Sequence, residues 1–156
     1  MTKQWDNEYL TQALKEEAEV ARLALRVRVT RPTGGVHLDS NLYLATGPSA
    51  GSGIRTSEVL PKWRRHPRAA GALAITHALN IRHDHEEFAV TVGYGAGRRG
   101  VTEHYGAHPD REAATMAAIV RAALQKLTEE RDERVALNPT RSTSSRRPGA
   151  WAKSKD

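Results

Sequence analysis

The 156-residue chain contains no cysteine, which excludes disulfides and thiolate-held metals. It has one phenylalanine, and aromatic residues of all kinds make up 5% of it, so any core must be filled mainly by Leu, Val and Ala. No apolar run approaches the ~18 residues that a membrane-spanning helix needs. The first ten residues, MTKQWDNEYL, are polar and of mixed charge, unlike a signal peptide. No membrane partner is therefore expected, and the default location is cytoplasmic.

Charge is present but uneven. The net charge is +6, and the segment from Asn138 onward holds five basic residues against one acid, four of those six charges. The rest of the chain is only mildly basic, so the high overall charge does not by itself predict a nucleic-acid-binding core. A second basic cluster is Lys62, Arg64, Arg65 and Arg68, interleaved with Trp63 in PKWRRHPR.

Asp6 or Asn7 can cap a helix on which Leu10, Ala13, Leu14, Ala18, Ala21 and Leu25 form one apolar stripe. The helix runs to about residue 28 or hands over to a strand, and Pro32, Gly34 and Gly35 stop both. Residues 36–45 read as a strand, 47–53 as a Gly/Ser loop, and 69–79 as a short helix. Phe88, Val90, Val92 and Tyr94 alternate with Ala89, Thr91 and Gly93, which predicts a strand. A second strand is expected over 101–105. Pro109 and Asp110 open the longest helix, with Ala113, Ala117, Val120, Leu124 and Leu127 on its apolar face and Arg121, Gln125, Glu129 and Glu130 facing away. The predicted core draws on Leu10, Leu14, Leu25, Leu42, Phe88, Val90, Val92, Val120 and Leu124. The fold class is thus α+β: two long helices packed on a small antiparallel sheet. Residues 1–137 form a single domain, and 138–156 a basic Ser/Arg-rich tail or arm that cannot bury a core.

Between the two strands lies GAGRRG, residues 95–100, with glycines at the G-x-G-x-x-G positions. A dinucleotide site needs a helix directly after that loop. The next residues here are VTEHY, so the loop reads as the tip of a β-hairpin, with Arg98 and Arg99 placed to meet phosphate or carboxylate. His83 and His85 would share one face of a strand; with Glu86, Glu103, His104 and His108 nearby they are candidate ligands for zinc or iron. Set against this, HDHEE reads as a solvated polar turn, and no metal or other cofactor is assigned. Ser49, Ser52 and Ser57 lie in loops without the strand–turn–helix setting of a nucleophile. No convergent catalytic set emerges, and a non-enzymatic protein is expected.

Two resemblances bear on function. The run F-x-V-x-V, loop, strand and Ala-rich helix resembles the later half of a double-stranded RNA-binding domain. That family opens its last helix with phosphate-gripping lysines, where this chain has Pro109-Asp110-Arg111-Glu112. The second rests on Pro32-Thr33-Gly34 with Leu38 and Ser40, on Val101, Glu103 and Gly106, and on the element order. In these the chain resembles the head–tail joining and tail-completion (neck) proteins of tailed bacteriophages, over roughly residues 6–130. That resemblance implies a virion structural component, assembled in the host cytoplasm as an oligomeric ring against neighbouring virion proteins. Arg64, Arg65, Arg98 and Arg99 would then face DNA or a channel lumen, and Arg146, Arg147 and Trp151 would form an assembly arm. The alternative is a small nucleic-acid-binding accessory protein using the same basic loops and tail. A metal-dependent enzyme around His83 and His85 is the third reading.

Overall fold

A computed structural model describes residues 6–25, 28–30, 43–45 and 60–138. Its architecture is α+β. Helix α1 spans Asn7–Val20, capped by the Asp6 carboxylate accepting the Glu8 N–H, and it passes into one π-helical turn over Ala21–Leu25. Strands β1 (Arg28–Thr30) and β2 (Tyr43–Ala45) form a short antiparallel pair. Helix α2 covers Pro67–Thr76, with proline at its first position, where no intrahelical N–H is needed. Strands β3 (Asn80–Asp84), β4 (Ala89–Tyr94) and β5 (Arg99–His104) make an antiparallel sheet in the order β3-β4-β5. A 3-10 turn at Tyr105–Ala107 leads to α3, Arg111–Leu137. Asp110 caps α3 by accepting the Ala113 N–H at 2.8 Å.

The core lies where α3 crosses the three-stranded sheet. Its first four turns are buried on nearly every side, through Ala113, Ala114, Met116, Ala117, Ala118, Ile119, Val120, Ala122 and Ala123. The sheet packs on one side of this helix, and α1 and α2 pack on others. The alanines among those residues permit that close approach; a leucine-faced helix would hold its neighbours further out. From the sheet, Val90, Val92 and Tyr94 point into the core.

The predicted hairpin is present. Gly95, Ala96 and Gly97 all have positive φ, the left-handed geometry that a tight two-strand turn requires. Four expectations need correction. Phe88 is 70% exposed: it sits at φ 49° in the turn before β4, so the alternation that buries Val90 and Val92 does not extend to it. Leu25 is 48% exposed, because the π-helical turn shifts the end of the stripe off the core. Strand β3 takes in His83 and Asp84, so the polar turn expected around HDHEE begins only at His85, and the paired strands become three. On α1 the face turned to the protein is Ala13, Glu16, Glu17 and Val20, a rotation of the predicted stripe that takes two carboxylates inside. Leu42, the greater part of the 36–45 strand, the 47–53 loop and the neck-like Pro32–Ser40 stretch lie outside the described residues.

Candidate functional site

The chain's chemistry concentrates in a buried cluster of charge between α1, the 63–65 turn, β5 and α3. Pro61 and the turn after it project Trp63 and Arg64 inward, held by the N–H groups of Arg65 and His66 donating to the Lys62 carbonyl. Arg64 is completely buried. Its Nε donates to Glu16 Oε2 at 2.6 Å, its Nη1 to the Tyr9 hydroxyl at 3.2 Å and to the Ala113 carbonyl at 3.4 Å, and its backbone N–H to Glu17 Oε1 at 2.9 Å. Among the described residues its Nη2 has no hydrogen-bond partner. Arg65 closes on the same Glu17 through Nε (3.2 Å) and Nη2 (2.8 Å), a fork-to-carboxylate pair.

Glu16 is shared. Its Oε1 accepts from Arg121 Nε at 2.9 Å and from Gln12 Nε2 at 3.0 Å. Arg121 spans to β5, where its Nη1 donates to Glu103 Oε1 at 2.5 Å. Glu103 Oε2 lies 3.0 Å from His108 Nε2, and His108 Nδ1 lies 2.7 Å from the Tyr9 hydroxyl. The ring of contacts is satisfied when Tyr9 accepts from Arg64 and donates to Nδ1, while Nε2–H donates to Glu103. Three guanidiniums (Arg64, Arg65, Arg121) therefore face three carboxylates (Glu16, Glu17, Glu103). That balance makes burial of so much charge tolerable, since an unmatched ion here would cost several kcal/mol.

Burial opposes ionisation of Glu103, yet the hydrogen bonds and charges of Arg121 and His108 outweigh it and hold its carboxyl below the ordinary 4.5. Glu103 therefore contributes stability above that ordinary value, and the contribution is lost as pH falls through the lowered one. An acid titration of unfolding free energy is expected to show a shallower acid limb in Glu103→Gln than in the wild-type chain. Equal slopes would remove Glu103 from that role.

A second, shallower site lies at the hairpin tip against α3. Glu129 accepts from the Tyr94 hydroxyl at 3.0 Å and from Arg99 Nη1 at 2.7 Å. Arg98 stands exposed beside them, and Lys126 turns away to donate to the His77 carbonyl at 2.7 Å. Burial, then the hydrogen bond and charge of Glu129, push the Tyr94 phenol up to about 12. Neutral Tyr94 thus supports the fold fully below the ordinary phenol value of 10, and the support is lost as pH rises through about 12. An ultraviolet titration should show a late phenolate step that is lost in Tyr94→Phe.

The structure separates the arginines that the sequence had grouped. Arg64 is sealed inside and Arg65 is taken up by Glu17, so neither is offered to a nucleic acid or a lumen. Arg121 and Glu129, expected on the outer face of α3, turn inward to carboxylate and phenol partners. Arg98 and Arg99 do share the exposed tip, but Arg99 is already paired. Arg146, Arg147 and Trp151 lie outside the described residues. The candidate metal ligands disperse. His83 Nδ1 meets the Tyr105 hydroxyl at 2.8 Å, His85 lies in the β3–β4 turn, and Glu103 and His108 join the buried ring. Among the described residues no three His, Asp or Glu side chains gather around one point where a metal could sit.

Sequence reasoning missed Glu16, Glu17, Tyr9 and Arg121 as members of a site. The one signal for them was Glu16 and Glu17 on the same helical face as Ala13 and Val20. No described helix is long and apolar enough to cross a membrane. Comparison with protein-family models, curated proteins and solved structures finds no match for this chain. Fold and site together define an α+β protein with a small network of paired charges buried between α1, the 63–65 turn, β5 and α3.

Proposed function

We propose that this protein is a structural assembly component, of the neck or tail-connector kind found in tailed-phage virions, working as a homo-oligomer through protein contacts and not as a catalyst. One observation carries the reading: the direction in which the folded unit turns its side chains. Three of the four arginines expected to grip phosphate end on carboxylates. Large apolar side chains are turned outward instead: Ile75 is 83% exposed, Phe88 70% and Ile81 42%, all on the stretch running from α2 through β3 into the next turn. Apolar exposure of that kind marks protein contact more than nucleic-acid contact.

The nucleic-acid reading has its own support. The run β4, hairpin, β5, α3 is the one that resembles a double-stranded RNA-binding domain, and Arg98 stands exposed at the hairpin tip. Against it, the β3–β4 turn carries Glu86 and Glu87, and α3 opens with Asp110 and Glu112. Light scattering of the full chain over a wide concentration range separates the two. Assembly predicts a mass rising to a multiple of 17.2 kDa. A chain that stays monomeric and binds duplex with a steep salt dependence would overturn the assembly reading.

A further inference from the structure

Strand β3 is an outer strand of its sheet, and among the described residues no other strand pairs with its far side. The ladder determines which of its backbone groups are left over. The Tyr105 N–H donates to the Phe88 carbonyl, so Phe88, Val90, Val92 and Tyr94 direct their hydrogen bonds toward β5. Ala89, Thr91 and Gly93 then direct theirs toward Asp84, Arg82 and Asn80. The N–H and C=O groups of Ile81 and His83 are left pointing out from the edge. An exposed edge of this kind is a template for another strand.

We propose that β3 pairs antiparallel with β3 of a second copy about a twofold axis at Arg82, joining two three-stranded sheets into one of six strands. The inference rests on the assembly reading and names its contact. This register sets Ile81 opposite His83 of the second copy, and the reverse, so every outward backbone group on both strands finds a partner. A shift of two residues either way leaves some of them unmatched.

The side chains agree with that register. On the inner face each Ile81 covers the other copy's His83. On the outer face Asn80 meets Asp84, and the two Arg82 side chains meet at the axis. The like charges at the axis are offset because each Arg82 has an Asp84 on its diagonal, within reach of a long side chain. The face holds two cations and two anions. Antiparallel order also turns the α2 end of one copy, with Ile75, toward the other copy's turn, with Phe88. Those are two of the most exposed large apolar residues described. An isologous contact with the same patch on both copies is the commonest solution for a homo-oligomer.

The chain has no cysteine, so a single introduced one is an unambiguous reporter. Residues opposite each other in a non-hydrogen-bonded antiparallel pair have Cα atoms about 4.5 Å apart, within disulfide range. R82C should form a disulfide dimer under mild oxidation far faster than R131C, whose parent side chain is 55% exposed at the far end of α3. R82D should weaken self-association by about tenfold or more, through like-charge crowding, since it sets two further carboxylates beside both Asp84 side chains. R82K, which keeps the charge at the axis, should retain most of the self-association. Circular dichroism checks that each variant is folded. A chain that self-associates while R82C links no faster than R131C, or while R82D associates as tightly as R82K, overturns the β3 pairing and leaves assembly standing. A wild-type chain that remains monomeric throughout overturns both.

Discussion

Arg64→Ala is expected to cost the fold about 3–5 kcal/mol, the range for removing one partner of a buried ion pair. Most of that cost comes from what is left behind. Glu16 would lose its 2.6 Å partner at a position where it is 6% exposed, and Tyr9 would lose the Nη1 donor and the guanidinium over its ring, while Glu17 keeps the backbone N–H that alanine retains. The Glu16 carboxylate would keep only Arg121 and Gln12. The loss also opens a cavity the size of a long side chain between α1 and α3. Urea unfolding monitored by circular dichroism measures it. Arg64→Lys should recover only part of the loss, because an ammonium cannot reproduce the guanidinium's reach to Glu16, Tyr9 and the Ala113 carbonyl together. A double-mutant cycle between Arg64 and Glu16 should return a coupling well above that of an exposed pair such as Arg131–Asp132. A cost below about 1 kcal/mol for Arg64→Ala would mean that the cluster tolerates the vacancy and does not anchor α1.

Gly100→Ala is expected to be the second severe change, destabilising by roughly 1–3 kcal/mol as an overpacked site. Gly100 stands opposite Gly93 where β4 and β5 meet. A Cβ there would press on the Val92 carbonyl oxygen and the Gly93 Cα, at separations that real Cβ atoms do not adopt. Both obstacles are backbone, so no rotamer change relieves them. The hairpin itself would have to open, moving Arg99 away from Glu129 and Val101 off the core. Gly71→Ala is the contrasting control. Nothing lies within 4 Å of its Cβ, and it sits inside α2, where alanine is favoured by roughly 0.5–1 kcal/mol. Thermal melts of the two variants should therefore shift in opposite directions. A neutral Gly100→Ala would show that β4 and β5 can separate at no cost.

Helix α3 and the β4–β5 hairpin were legible in the amino-acid sequence alone, and for the same reason. Each is dictated by neighbours along the chain: the Asp110 cap and the spacing of three and four from Ala113 to Leu127, and the alternation from Val90 to Tyr94 with glycines at the tip. Strand β3 was hidden because four of its five residues are exposed. An outer strand needs no apolar alternation, and its pairing with β4 is the only sign of it.

The buried cluster was hidden more deeply. Glu16 and Glu17 look like the solvated side of a helix, and PKWRRHPR looks like a phosphate-binding patch. Either segment alone would be just that. A sequence determines the period of a helix, the turn residues of a hairpin and the absence of any disulfide, because those depend on local chemistry. Whether a given carboxylate or guanidinium ends in water or in the core was decided only in the tertiary structure. Glu16 meets Arg64 across 48 residues of chain and Arg121 across 105. Burial of each charge is tolerable only when the others arrive with it.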